Sequence, residues 1–305
     1  MIITVNVLTK IFPVESIFYG NKKLIFHGVS SILESTEKDL SWIKQGVKNE
    51  LELVQQTKSK GIILTEQTYT KSKIEGNDKL FIIHPRPELL MQKLLKFIVA
   101  QSEKNKGINI HPTAIVDSNC KLGENVVIGA YCIIGACKIG NNVKISNHVK
   151  IFDPVEIGDD CVIREFCSIG GEGFGFVKNE YGINEHIPHI GSLIIEKNVI
   201  VFPFSNIDRG TLGKTIVKRN TAIDHYVHVG HNSEVGENNL ITAGVTIAGG
   251  VRINNNCFIG VNTSIKEKVV VHSNVITGMG SVVTKNIPKD EVWIGNPAKL
   301  LKINK

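Results

Sequence analysis

The fold is decided by the stretch VKRNTAIDHYVHVGHNSEVGENNLITAGVTIAGGVRINNNCFIGVNTSIKEKVVV, residues 217–271, in which every sixth position is Ile or Val. These positions are Val217, Ile223, Val229, Val235, Ile241, Ile247, Ile253, Ile259, Ile265 and Val271. Neither the period of an α-helix nor the two-residue period of a strand produces this spacing. A coil with three flat faces does, because each face is one short strand and a corner. One coil then takes about 18 residues, and successive coils lie about 4.8 Å apart.

The six-residue spacing extends to both sides of this stretch. Towards the N-terminus, Ile or another apolar residue recurs from Ile110 to Ile134, then after five residues at Ile139, and again by sixes from Ile145 to Ile169. Towards the C-terminus we expect the frame to slip by one residue, to Ile276 and Val282. Gly, Asn and Asp are common between these positions and accept the backbone angles of tight corners. The sequence thus predicts a mainly β protein with a parallel β-helix over residues 110–287.

The repeat is interrupted by residues 170–192, which read GGEGFGFVKNEYGINEHIPHIGS. Two Gly-aromatic pairs followed by a polar turn predict a hairpin that projects from the coil. An insert in a repeat protein often lies on the binding face, although it can also be a decorative loop.

Residues 1–109 lack the six-residue step and predict a small α/β domain. The runs Gly61–Thr65 and Leu80–His84 are typical of strands, and Pro87–Ala100 is typical of an amphipathic helix. Trp42 lies near lysines, where it either stacks on a base or packs in the core. Residues 288–305 form a predicted C-terminal tail.

Composition and charge limit the partners. The net charge of +6 comes without a dense basic block, so we expect no nucleic-acid partner. The six cysteines form no CxxC pair, so neither a zinc site nor a disulfide framework is expected, and no metal cluster with ligand spacing is seen. No signal peptide and no long apolar run is present, and we therefore expect a cytoplasmic protein with no membrane span and no bound cofactor.

Three motifs narrow the function. The insert with GEGFGF and IPHIG, the segment NIDRG at Asn206–Gly210 with Asp224, and VGHN at Val229–Asn232 resemble the UDP-3-O-(3-hydroxyacyl)glucosamine N-acyltransferase family of the hexapeptide-repeat superfamily. His27–Trp42 is similar to the N-terminal uridine-binding domain of that family. The resemblance covers roughly residues 24–285. It implies a left-handed coil, although ordinary parallel crossovers are right-handed. It also implies a homotrimer with active sites between neighbouring subunits.

The resemblance further implies a catalytic set. His231 matches the family's general base, Asp224 the carboxylate that orients or balances it, and Gly249 the backbone amide that holds the oxyanion. The spacing agrees on one point, because His231 and Gly249 are 18 residues apart, which is one full coil. A base and an oxyanion donor at this spacing can lie on either side of a thioester carbonyl.

Further residues are predicted to bind substrate. They are Trp42, Phe174, Phe176, His189, Arg209, His225, Asn232 and Lys268. Some positions depart from the family, with Gly230 where it usually has Ala, and Lys268 where it has a second histidine. The chain also ends in IGNPAKLLKINK, which is typical of sugar and serine acetyltransferases.

Three functions compete at this point. One is N-acylation with a long 3-hydroxyacyl chain, as in lipid A synthesis. Another is short-chain N-acylation of a different nucleotide-linked amino sugar for a surface glycan, and the third is a non-catalytic β-helix scaffold. The co-substrate is acyl carrier protein in the family reaction, while the acetyltransferase-like ending favours coenzyme A.

Overall fold

A computed structural model of the chain describes residues 2–73, 78–103 and 110–304. The chain divides into two units, Met1–Gly107 and Ile108–Lys305. Within the described residues, no helix has both the length and the apolar character that a membrane crossing needs.

The N-terminal unit is built on a five-stranded sheet in the order β2-β7-β6-β5-β4, with β2 antiparallel and the other strands parallel. The strands of this unit are β1 (Ile3–Thr4), β2 (Ile17–Gly20), β3 (Ile25–Phe26), β4 (Gly28–Val29), β5 (Asp39–Trp42), β6 (Gly61–Leu64) and β7 (Leu80–Ile83). Its helices are α1 (Val5–Ile11), α2 (Glu50–Gln56), α3 (Glu66–Ser72) and α4 (Pro87–Glu103). One side of α4 presents Leu90 and Leu94 to the core, whereas Leu95 is 44% exposed.

The second unit is a left-handed parallel β-helix with three sheets. The first sheet contains β10 (Val127–Ile128), β13 (Lys144–Ile145), β16 (Val162–Ile163), β21 (Ile200–Val201), β24 (Ala222–Ile223), β27 (Leu240–Ile241), β30 (Phe258–Ile259), β33 (Ile276–Thr277), β35 (Glu291–Ile294) and β36 (Lys299–Ile303). The second contains β8 (Ile115–Val116), β11 (Ile133–Ile134), β14 (Lys150–Ile151), β17 (Ser168–Gly171), β22 (Asn206–Asp208), β25 (His228–Val229), β28 (Thr246–Ile247), β31 (Ser264–Ile265) and β34 (Val282–Val283). The third contains β9 (Lys121–Leu122), β12 (Lys138–Ile139), β15 (Val155–Ile157), β20 (Ser192–Ile195), β23 (Lys214–Val217), β26 (Glu234–Val235), β29 (Arg252–Ile253) and β32 (Val270–Val271).

The six-residue repeat forms the core of this coil. In β25, β28 and β31, for example, Val229, Ile247 and Ile265 pair in register and are almost completely buried. Each is preceded by an outward-facing residue, as the two-residue alternation of a strand requires. The mainly β class and the parallel β-helix predicted from the spacing are therefore confirmed.

The predicted slip of the frame after Val271 is wrong. Thr277 and Val283 continue the six-residue spacing and are buried, while Ile276 and Val282 are the outward neighbours that were mistaken for them. Thr277 is a polar residue at an inward position, and this hid the frame. Its hydroxyl oxygen accepts a hydrogen bond from the N–H of Gly260 at 3.0 Å, which allows its burial.

Two segments depart from the regular coil. The insert, residues 170–192, contains the antiparallel hairpin β18 (Phe176–Lys178) and β19 (Asn184–His186). The C-terminal tail adds β35 parallel to β33, and β36 then returns antiparallel to β35.

Candidate active site

His231 follows β25 at a corner of the coil and faces Gly249 of the next coil. A Cβ atom built on Gly249 would lie 2.8 Å from Nε2 of His231, so the imidazole ring lies directly over that glycine. Any side chain at this position would displace the ring. Within the described residues, no hydrogen bond uses the backbone N–H of Gly249. The structure therefore brings together the histidine and the amide that sequence spacing paired.

The hydrogen bonds of Asn232 fix the tautomer of His231. The backbone N–H of Thr211 donates to Oδ1 of Asn232 at 3.0 Å, which identifies that atom as an acceptor. Nδ1 of His231 lies 3.0 Å from the same oxygen and 3.2 Å from Oγ1 of Thr211. Because Oδ1 cannot donate, Nδ1 carries the proton of the neutral ring. The lone pair is then on Nε2, the nitrogen that faces Gly249.

The insert covers the other side of His231. A Cβ atom on Gly173 would lie 2.8 Å from Cδ2 of His231 and 2.9 Å from Nε2 of His189, so only glycine allows this close approach. The rings of His189 and His231 meet edge to face with centroids 4.9 Å apart. His189 is completely buried. The predicted substrate residue His189 is thus close to His231.

Arg209 ties the insert to the coil. Its Nε donates to the carbonyl oxygen of His189 at 2.6 Å, and Nη1 donates to that of Asp153 at 2.7 Å. Nη2 donates to Oε1 of Glu172 at 3.1 Å. All three guanidinium nitrogens therefore have partners within the chain, and the structural role of Arg209 is to hold the insert in place. A substrate contact for Arg209 stays a prediction.

Asp224 contacts its neighbour in sequence, His225. Its Oδ1 accepts hydrogen bonds from the backbone N–H of His225 at 2.8 Å and lies 2.7 Å from Nδ1 of the same residue. Burial raises the pKa of Asp224, but the hydrogen bonds and charge of His225 outweigh it, so that the pKa is lowered overall. Within this chain, Asp224 orients His225 rather than His231. Its predicted role beside His231 stays a prediction.

A buried carboxylate near His231 was missed by the sequence analysis. Asp208, at the end of β22, is 5% exposed, and its Oδ2 lies 3.8 Å from Nε2 of His228. Burial raises its pKa, although a 2.7 Å hydrogen bond from Nδ2 of Asn206 and the charges of His228, His231 and His189 oppose the shift. The available signal was the NIDRG motif, which contains Asp208.

Three further predicted residues, Phe174, Phe176 and Lys268, are exposed. Phe174 and Phe176 stand on the insert with ring centroids 4.8 Å apart, and Phe174 is 86% exposed. Lys268 is exposed and lies one coil beyond Gly250 on the same corner as Asn232. These three side chains are free to meet a ligand, and their predicted contacts with substrate remain predictions.

The N-terminal unit has a cavity of about 540 Å³ at the carboxyl ends of β5, β6 and β7. Gln45, Thr65, Gln67 and His84 are among the residues that line it. Ligands of open parallel sheets commonly bind at this edge. Trp42 is half-buried and packs against the core of the unit, so its stacking on a base also remains a prediction.

Comparisons with known proteins match this architecture. The bacterial transferase hexapeptide model matches residues 136–171 and 214–249. A UDP-3-O-acylglucosamine N-acyltransferase of Coxiella burnetii is 32% identical over 232 residues, which cover 70% of this chain and 65% of that protein. One of Methylococcus capsulatus is 30% identical over 46% of this chain and 40% of its own length. The chain therefore spans less than two thirds of each of these relatives.

Solved structures of acyltransferases also resemble this chain. A UDP-N-acetylglucosamine O-acyltransferase of Moraxella catarrhalis superposes with a TM-score of 0.59 at 28% identity, over 65% of this chain and 76% of that chain. A UDP-N-acetylglucosamine acyltransferase of Francisella novicida gives 0.59 at 26% identity, over 64% and 70%. The coil of this chain is therefore similar to those of solved nucleotide-sugar acyltransferases.

Proposed function

Because the chain belongs to the UDP-3-O-acylglucosamine N-acyltransferase family of hexapeptide-repeat proteins, we propose that it transfers an acyl group from a thioester to the amine of a nucleotide-linked amino sugar. The acyl group is of the 3-hydroxyacyl type, and the reaction belongs to lipid A synthesis. The observation that carries this proposal is the position of Nε2 of His231 over Gly249, with its lone pair unprotonated.

The proposed chemistry uses these two groups in turn. The sugar amine attacks the thioester carbonyl carbon and passes its proton to Nε2 of His231. The backbone N–H of Gly249 donates to the oxyanion of the tetrahedral intermediate, a contribution of about 3 kcal/mol for one donor in known acyl-transfer sites. When the intermediate collapses, the C–S bond breaks and the thiolate takes the proton back from His231. The products are an amide and a free thiol.

Asp208 is proposed to balance the charge on His231 during the transfer. The imidazole becomes positive when it accepts the amine proton, and a nearby carboxylate stabilises that form. Asp208 is buried and interacts with His231 electrostatically, whereas Asp224 is hydrogen-bonded to His225. We therefore add Asp208 to Asp224 as a candidate for this role.

The remaining predicted residues belong to the same proposal. His189, His225, Asn232 and Lys268 surround the sugar, and Arg209 holds the insert whose Phe174 and Phe176 meet the acyl chain. Trp42 contacts the nucleotide.

A homotrimer in the cytoplasm is part of the proposal, with acyl carrier protein as the donor. An exposed column of stacked rings supports an assembly: Tyr131, His148, Phe166, Phe204 and Tyr226 follow one another at centroid distances of 4.9–5.2 Å. All five have positive φ, which is unfavourable for bulky side chains, so local backbone preference does not explain these rings. Burial against a second copy would remove these aromatic rings from water.

A second candidate is short-chain N-acylation from coenzyme A on a different nucleotide-linked amino sugar. It is favoured by the ending of the chain, where β35 and β36 extend the first sheet with the sequence typical of acetyltransferases.

Mass spectrometry of the products distinguishes these candidates. The full chain is incubated with 3-hydroxyacyl carrier protein or with acetyl-coenzyme A, each against a panel of amino-sugar nucleotides. The proposal predicts an amide product with the long-chain carrier donor. An acetylated product with coenzyme A alone would establish the second candidate. The absence of any product, from a protein that remains folded, would leave the scaffold function and contradict both.

A further inference from the structure

Three potential metal ligands meet where the insert leaves and rejoins the coil. Glu172 precedes β18, His186 ends β19, and His189 follows three residues later. Each offers one ligand atom, and these atoms lie within 4.8 Å of one another. The sequence predicted no metal site, because the cysteines form no CxxC pair and no cluster with ligand spacing is seen.

His189 has an unpaired nitrogen aimed into the group. Its Nδ1 lies 2.8 Å from the carbonyl oxygen of Ile187 and must donate to it, because a carbonyl has no proton. The lone pair is then on Nε2, which is buried and has no hydrogen-bond partner within the described residues. A buried polar atom without a partner costs about 1–3 kcal/mol, and native proteins rarely retain one without a reason. Histidines that bind metals are oriented in this way, with the other ring N–H given to a backbone carbonyl.

The carboxylate of Glu172 is positioned by neighbouring side chains, as the carboxylates of metal sites commonly are. Its Oε1 accepts from Arg209 at 3.1 Å, while Oε2 lies 3.5 Å from Nδ1 of His186. Arg209 donates in addition to the carbonyl oxygen of His189, so a single side chain positions two of the three ligands. Supporting hydrogen bonds of this kind are common around metal ligands.

The donor set selects the class of cation. Two imidazole nitrogens and one carboxylate suit Zn²⁺ and neighbouring first-row divalent ions, whereas Mg²⁺ and Ca²⁺ prefer oxygen ligands. Bonds of about 2.0–2.1 Å in a tetrahedron require ligand atoms about 3.4 Å apart, closer than the present limit of 4.8 Å. The side chains of His186 and Glu172 are 38% and 44% exposed, so they have room to close on an ion held by His189.

We propose that Glu172, His186 and His189 bind a divalent cation of the zinc class, which fastens the insert to the coil beside His231. The ion closes the loop between residues 172 and 186 and gives the unpaired Nε2 of His189 its partner. The metal site uses neither His231 nor Gly249, but it shares His189 with the proposed sugar site, and its test is therefore a metal titration and not an activity assay.

Metal titration of the full chain tests the site without an activity assay. The protein is freed of metal with a chelator and titrated with Co²⁺, followed by visible absorption, and Zn²⁺ is then added in competition. We expect one Co²⁺ per chain with the strong absorption bands of a four-coordinate site, and displacement by Zn²⁺. In E172Q and H186A, whose altered side chains are exposed, the affinity for Co²⁺ should fall at least tenfold.

Two variants serve as controls. H272A removes an exposed histidine far along the coil, and H231A removes the neighbouring catalytic candidate. Both should bind Co²⁺ as the unaltered chain does. No stoichiometric binding in the unaltered chain would overturn the site, as would equal affinity in E172Q and H186A. Loss of binding in H231A would also overturn it, because the ion would then belong to His231.

Discussion

The regular coils and the interrupted region of the β-helix contribute different things to the candidate site. In the regular coils, residues 110–169 and 217–283, each inward side chain pairs with its counterpart one coil away, as Val229 does with Ile247. Between residues 170 and 213 the same three sheets continue, but the chain adds the insert and a loop that carries Thr211. His231 contacts both regions, because Gly249 belongs to the regular coils and Thr211 to the interrupted region.

The regular coils set the distances between residues of the site, and the interrupted region supplies most of the surrounding polar side chains. A regular coil fixes the spacing between residues on successive turns, as it does for His231 and Gly249. It repeats similar surroundings at every turn and cannot by itself distinguish one corner from the next. The interruptions distinguish this corner by bringing Glu172, His189 and Arg209 to it.

The largest effect should follow removal of the residue at which the two regions meet. His231→Ala removes the proposed base, and loss of general-base catalysis costs about 10²–10⁴-fold in rate. His272→Ala, at an exposed position in the regular coil, should retain nearly full activity. The measurement is kcat/KM for acyl transfer, with the oligomeric state of each variant checked by light scattering.

A change in the regular coil should instead affect stability. Ile134 is 2% exposed and its neighbour Ile133 is 46% exposed, although both belong to β11. Ile134→Ala should lower the free energy of unfolding by about 2–5 kcal/mol, because it removes transfer energy and leaves a cavity. Ile133→Ala should cost less than about 1 kcal/mol. Equal losses in urea unfolding would contradict the assignment of inward and outward faces.

Gly249→Ala tests the contact between the coil and the histidine. The added methyl group would lie 2.8 Å from Nε2 of His231, so the ring must move. A displacement of about 1 Å at a reacting group can cost about 10²-fold in rate. The matched control is Gly171→Ala, whose added methyl group would meet nothing closer than 3.5 Å. If both variants kept normal kcat/KM, the close packing of His231 on Gly249 would have no functional meaning.

Asp208 and Asp224 should have opposite effects on the pH dependence of stability. The raised pKa of Asp208 means that the folded state binds its proton more tightly, so stability falls as pH rises from 3.8 through the raised value. The lowered pKa of Asp224 gives stability that is present above 3.8 and is lost as pH falls through the lower value. Urea unfolding between about pH 3 and pH 7 should show that Asp208→Asn removes the first trend and Asp224→Asn the second. The same slope in both variants would contradict these shifts.

The sequence predicted the regular coil well because its period is a direct consequence of packing. It predicted less of the interrupted region, where the number of residues between two positions no longer tells whether they lie in neighbouring coils. Ile169 pairs with Ile207, and Ile207 pairs with Val229, so neither step is the 18 residues of a regular coil. This is why Asp208 and Thr211, which belong to the interrupted region, were missed near His231. The frame was also lost at Thr277, where burial of a hydroxyl depends on hydrogen bonds that the spacing does not show.

The protonation state of His231 tests the central claim most directly. Nitrogen-15 NMR of the histidine-labelled full chain reports which ring nitrogen carries the proton in the neutral form, and the signals of His231 are those that disappear in His231→Ala. The contacts with Asn232 and Thr211 predict a proton on Nδ1 and a bare Nε2 towards Gly249. A proton on Nε2 would contradict the account, because the nitrogen that faces Gly249 could not then accept the proton of the amine.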